Sequence, residues 1–96
     1  MTFASRIILH CPTGYRPELD ALVEQFLQDR VAYVGVVGED CEKVEDFIDE
    51  LVVAEGSDPS RFILTSSHPG ETLADVVAFA ESLTLEEPGS VQVVEL

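Results

Sequence analysis

The sequence predicts an α/β domain, a three-layer β-α-β-α-β-α-β chain around a four-stranded, mainly parallel sheet. Three observations carry this. The runs RIILHC and VAYVGVVG are apolar throughout rather than alternating, as suits parallel strands covered on both faces. Segments with apolar residues at helical spacing fall between such runs. The connections are short and punctuated by Gly and Pro. All 96 residues fit a single α/β domain, 1–96.

The first strand is read at Arg6 to Cys11, ending in the turn Cys11-Pro12-Thr13-Gly14-Tyr15. Pro17 suits the first position of a helix whose stripe is Leu19, Leu22, Val23, Phe26 and Leu27, running to about Arg30. A cation there complements the helix dipole. Val31 to Gly38 is the second strand. Asp40 is placed as N-cap of a second helix with stripe Val44, Phe47, Ile48, Leu51 and Val52, closed by Gly56. Ser57 to Ser60 is a polar connector, and Phe62 to Thr65 the third strand. Two starts compete for the third helix: His68 as cap with Pro69 following, or Thr72 as cap with Asp75 three residues on. Its stripe is Leu73, Val76, Val77, Ala80 and Leu83. A turn at Glu87-Pro88-Gly89 leads to a last strand, Val91 to Leu96.

Right-handed crossovers favour a flavodoxin-like or Rossmann-like layout with strand order 2-1-3-4. That order leaves the first helix alone on one face. One helix cannot cover four strands, so a partly bare apolar face or edge strand is expected, which a second copy of the chain covers as a homodimer.

Charge narrows the partners. There are 19 acidic against 5 basic residues, a net charge of −14. Such a surface repels phosphate backbones and anionic lipids, so neither nucleic acid nor membrane is expected as a partner. Two cysteines make no disulfide framework, Arg6 directly precedes the first apolar run, and no run approaches membrane-spanning length. A cytoplasmic location with reduced thiols is the expectation.

Chemistry is expected at the carboxyl ends of the strands, near a switch point between strands one and three. Thr13, Tyr15, Asp40, Ser66, Ser67, His68, Gly70 and Glu71 are the candidate ligand-binding residues there, and His68, Ser67, Cys41 and Cys11 the candidate catalytic ones. His68 as a base, Ser66 or Ser67 as nucleophile and Glu71 or Asp40 as orienter supply the elements of a triad. The structural reading of the same turn is that Ser67 or His68 caps the third helix while Pro69-Gly70 shapes the bend. Cys11 to Arg16 leaves four residues between, one short of a cysteine-phosphatase loop, and Pro17 follows; a buried structural thiol is the plainer reading. Cys41 gains from a helix start and loses from Glu39, Asp40 and Glu42 around it. Cys11, Cys41 and His68 would suit zinc in type but not in spacing, so no metal and no cofactor is assigned. The acidic run Glu42, Glu45, Asp46, Asp49 and Glu50 reads as a solvated face or as a docking surface for a basic partner.

The segments GEDCEKVEDFIDELV and SDPSRFILTSSHPGETL resemble a family of small uncharacterised bacterial proteins with a Gly-Glu-Asp-Cys helix start and a Thr-Ser-His-Pro-Gly-Glu turn. The resemblance covers Tyr33 to Phe79. It implies that Asp40, Cys41, Ser67, His68, Pro69, Gly70 and Glu71 belong to a recurring pattern, and it implies no activity. The expected function is a small non-enzymatic interaction or regulatory domain with a protein partner or self-association. The alternative is a small-ligand, anion or metal site, with hydrolytic or thiol chemistry, on the strand-end rim.

Overall fold

The computed structural model describes residues 3–55, 63–82 and 91–96. The elements are β1 (Arg6–Cys11), α1 (Glu18–Gln28), β2 (Tyr33–Gly38), α2 (Cys41–Glu55), β3 (Leu64–Ser67), α3 (Leu73–Ser82) and β4 (Val91–Glu95). The expected alternation is what the chain forms, and every strand pairing is parallel. The strand order is β3-β2-β1-β4, not 2-1-3-4. It matches the first four strands of the Rossmann order rather than the flavodoxin order.

The reason for the correction lies in which face each helix takes. Periodicity shows that a helix has an apolar stripe but not which side of the sheet receives it. Here α1 and α2 pack against each other, so β1, β2 and β3 advance in one direction. Only α3 returns across the sheet, touching β1, β2 and β4. The lone helix is therefore α3, not α1.

Alternate residues of the strands feed two cores. Ile7, Leu9, Val34 and Val36 pack with Leu19, Val23 and Phe26 of α1 and with Val44, Ile48 and Val52 of α2. Ile8, Tyr33 and Val37 pack with Val76 and Ala80 of α3. Phe3 meets the Phe26 ring edge-on at 4.9 Å, closing the α1 side.

The ends of the elements follow local chemistry. Pro17 is the N-cap residue of α1 rather than its first helical residue. The helix closes at Gln28 in a Schellman motif: Val31 N donates to Phe26 O at 3.0 Å and Arg30 N to Leu27 O at 3.3 Å. Arg30 thus lies beyond the helix in the left-handed region, φ 59°. With the Val31 amide used in that cap, β2 starts at Tyr33. The Asp40 carbonyl accepts the first α2 bond from Val44 N at 3.0 Å, and Asp40 itself is left-handed, φ 52°. Asp tolerates that conformation better than most residues.

Thr72, not His68, caps α3: its hydroxyl accepts from Asp75 N at 3.2 Å. At the other end the buried Arg6 donates through Nη1 to Ala80 O at 3.0 Å, putting a cation on the negative end of the helix. Ser66 and Ser67, expected in a turn, belong to β3. The expected Gly56 cap, the connector Ser57 to Ser60, Phe62, Leu83 and the Glu87-Pro88-Gly89 turn lie outside the described residues.

Candidate functional site

Strands β1 and β3 are not neighbours, because β2 lies between them. The expected crevice between their ends therefore does not form. The adjacent loops that leave toward opposite faces are those after β2 and β3. A cavity of about 380 Å³ opens between them, lined by Gly38 to Lys43, Pro69 and Gly70. A larger cavity, about 490 Å³, lies elsewhere, lined chiefly by Phe3, Ala21, Leu22, Arg16 and Leu96. The larger one holds none of the proposed chemistry.

The best-defined constellation sits just inside the rim, on the α3 side of the sheet. Register pairs Tyr33 with Leu64 and Gly35 with Ser66, so these side-chain positions share one face. Ser66 and His68, two residues apart on an extended chain, point the same way. Ser66 Oγ lies 2.8 Å from His68 Nε2, and His68 Nδ1 lies 2.8 Å from Glu71 Oε2. Tyr33 Oη lies 2.5 Å from Ser66 Oγ and 3.4 Å from His68 Nε2.

The donors follow from the chemistry. Glu71 accepts at Nδ1, so the imidazole proton sits there and Nε2 accepts from the Ser66 hydroxyl. Tyr33 then donates to Ser66 Oγ. Burial raises the Tyr33 pKa, the Ser66 hydrogen bond lowers it, and the charges of Glu45 and Glu71 raise it further; the net shift is upward, so the phenol stays a donor. His68 is only 6% exposed and its ring meets that of Phe79 at a tilt, centroids 5.0 Å apart, while the Glu71 carboxylate reaches solvent.

Gly35 makes room for this arrangement. A Cβ at Gly35 would lie 2.5 Å from Tyr33 Oη and 3.1 Å from its Cζ. The missing side chain lets the Tyr33 ring lie across β2 toward β3. Gly70, φ 76°, gives the turn between His68 and Glu71 its left-handed residue.

The other candidates are placed apart from this relay. Ser67 pairs with Val36 and falls on the opposite side of β3 from Ser66. Cys11 and Cys41 are both buried in the α1–α2 core, across the sheet from His68. Burial pushes the Cys11 thiol up to about 11, with Cys41 and Glu95 adding to the shift, so it is held protonated and unreactive. Thr13 and Tyr15 are exposed on the loop after β1, where Tyr15 stacks on Phe47 at 4.6 Å. Asp40 lines the rim cavity but does not reach His68 in the relay. Among the described residues no three His, Cys, Asp or Glu side chains are placed to hold a metal ion.

Two features escaped the sequence reading. Tyr33 stands in a run whose sequence reads only as apolar strand; a Tyr two residues before a Gly in a buried strand is the available signal. Glu45 and Asp49 are not simply solvated: Thr65 Oγ1 lies 3.1 Å from Glu45 Oε2 and 2.6 Å from Asp49 Oδ1. One hydroxyl proton between two carboxylates fastens α2 to β3 and softens that like-charge pair.

Among the described residues no helix is long and apolar enough to cross a membrane. No curated protein and no solved structure gives a significant match to this chain. Residues 7–94 match a family described as a domain of unknown function (DUF7684), and the chain belongs to that family.

Proposed function

We propose that this is an interaction domain of the bacterial cytoplasm that docks a basic, amphipathic protein segment on the α3 side of its sheet. The observation that carries the reading is the outer surface of α3. A helix apolar on all sides belongs in an interior. Yet in α3 Ala74, Ala78 and Phe79 are exposed, while Val76 and Ala80 face the sheet. Leu64 on one flanking strand and Val93 on the other share that face and are 44% and 41% exposed. Apolar side chains of this kind, rimmed by charge, are the usual mark of a docking surface.

Charge selects the occupant. Glu71, Asp75 and Glu81 are exposed around α3, and Arg6, the one arginine on this face among the described residues, is buried against Ala80. A net charge of −14 makes a second copy a poor partner at low salt and a Lys- or Arg-rich segment a good one. The α1–α2 side is a weaker candidate, because its exposed rings, Tyr15 and Phe47, lie against each other.

The test is titration calorimetry with a synthetic amphipathic peptide of Leu and Lys. Binding that weakens with added salt and is lost in Phe79→Asp supports the reading. Binding unchanged by Phe79→Asp overturns it. Sedimentation of the free protein covers the other occupant: a dimer broken by Phe79→Asp makes the face a self-association surface instead. A ligand at the rim cavity would show separately, as thermal stabilisation by a small molecule that survives Phe79→Asp.

A further inference from the structure

We propose that Ser66 is an activated nucleophile, able to form an acyl-enzyme with small neutral or cationic carboxylic esters. This does not rest on the docking reading, since Ser66 and its partners need no bound protein.

The sense of the hydrogen bonds carries the proposal. In serine acyl transfer the hydroxyl must face Nε2 of a neutral imidazole whose Nδ1–H is held by a carboxylate. The chain here has that order, with Ser66 Oγ, His68 Nε2, His68 Nδ1 and Glu71 Oε2 in series and both contacts at 2.8 Å. The ring is fixed by burial and by Phe79, so it is oriented before any substrate arrives. Ser66 itself is only partly buried. Tyr33 donates to Ser66 Oγ at 2.5 Å, which fixes the hydroxyl so that its own proton points to His68 Nε2. A purely structural histidine needs only that its nitrogens be satisfied. It does not need a serine polarised from both sides at the end of a strand.

The chemistry balances with water alone. Ser66 Oγ bonds to the ester carbonyl carbon as its proton passes to His68 Nε2. The carbon–oxygen bond to the alcohol breaks, and the alcohol leaves with that proton. Water then attacks the acyl-serine, giving a proton to His68, and the acid leaves as Ser66 regains its hydrogen. Glu71 stays ionised and balances the imidazolium. The local field selects the substrate: Glu71 and Glu45 bear on this site, so anionic esters and phosphates are repelled. The Phe79 ring offers an apolar wall to a short acyl group.

The test uses the full chain with a fluorophosphonate probe, followed by intact mass and peptide mapping, and p-nitrophenyl acetate as substrate. A single adduct on Ser66, with fluoride lost, is the expected result. Glu71→Gln should slow labelling roughly 100-fold, and Ser66→Ala should abolish it in a protein whose circular dichroism is unchanged. No adduct on the folded wild-type chain overturns the proposal. So does an adduct on another residue, or a Ser66 adduct formed as fast in Glu71→Gln as in wild type.

Discussion

The two faces of this sheet solve the same problem differently. The α1–α2 face is closed by two helices, and its strand residues Ile7, Leu9, Val34 and Val36 are fully buried among aliphatic side chains and Phe26. The α3 face has one helix for four strands. Its centre is Ile8, Tyr33 and Val37, and its flank toward β3 is polar: Tyr33, Ser66 and His68 form a hydrogen-bonded chain there, while on the other side Thr65 reaches Glu45 and Asp49 of α2. The difference shows where stability and where specificity reside. The sealed face supplies the hydrophobic driving force. The open face carries the Tyr33–Ser66–His68–Glu71 hydrogen bonds and the exposed Leu64, Phe79 and Val93.

Truncating each face should separate these roles most strongly. Phe26→Ala, at a fully buried ring, is expected to cost about 3–5 kcal/mol in urea unfolding. Phe79→Ala, at an exposed ring, should cost about 1 kcal/mol or less. Equal losses would mean that the α3 face is as much a core as the other.

The next effect sharpens the polar half. Gly35→Ala pushes a methyl against Tyr33 Oη and should cost roughly 1–3 kcal/mol. Tyr33→Phe removes the atom in the way, so the double variant should lose less than the sum, with a coupling above about 0.5 kcal/mol. Strict additivity would show that Gly35 serves something other than the Tyr33 ring.

Titration distinguishes the faces in another way. In the fold Cys11 is raised to about 11 from 9.0, and Tyr33 is raised above 10.0. For a raised group the stability is fully present below the unfolded pKa and falls as pH climbs toward the folded one. Stability should therefore be lost between pH 9 and 11 through Cys11, at up to ~1.4 kcal/mol per pH unit, with Tyr33 adding to the loss only above pH 10.0. Cys11→Ala should flatten the first part of that slope, measured as urea midpoints. An unchanged slope would contradict the burial of the thiol.

The smallest expected change is a gain. Arg30 occupies a left-handed position at the end of α1, where glycine carries no Cβ penalty. Arg30→Gly should stabilise by about 0.5–1 kcal/mol in the same assay.

Much of the fold was legible because it is written locally. Unbroken apolar runs such as Ile7-Ile8-Leu9 mark strands covered on both sides, and helical stripes such as Val44, Ile48 and Val52 mark one buried face. Strand order was not legible, since a stripe does not name the side of the sheet it meets. The candidate site was half legible. Ser66, His68 and Glu71 stand close in sequence at a strand end, and those residues do join. Cys11 and Cys41 looked equally near by loop position, yet the sheet separates them from His68. Tyr33 was hidden because its partner His68 is 35 positions away, and only the register of β2 with β3 brings them together.

In the relay His68 directs its Nδ1 proton to Glu71 while Nε2 accepts from Ser66. Nitrogen-15 NMR of the histidine rings above neutral pH reads this directly. The expected result is a single Nδ1–H tautomer for His68 that reverts toward the ordinary tautomer mixture in Glu71→Gln. A wild-type His68 protonated on Nε2, or averaging freely between tautomers, would contradict it.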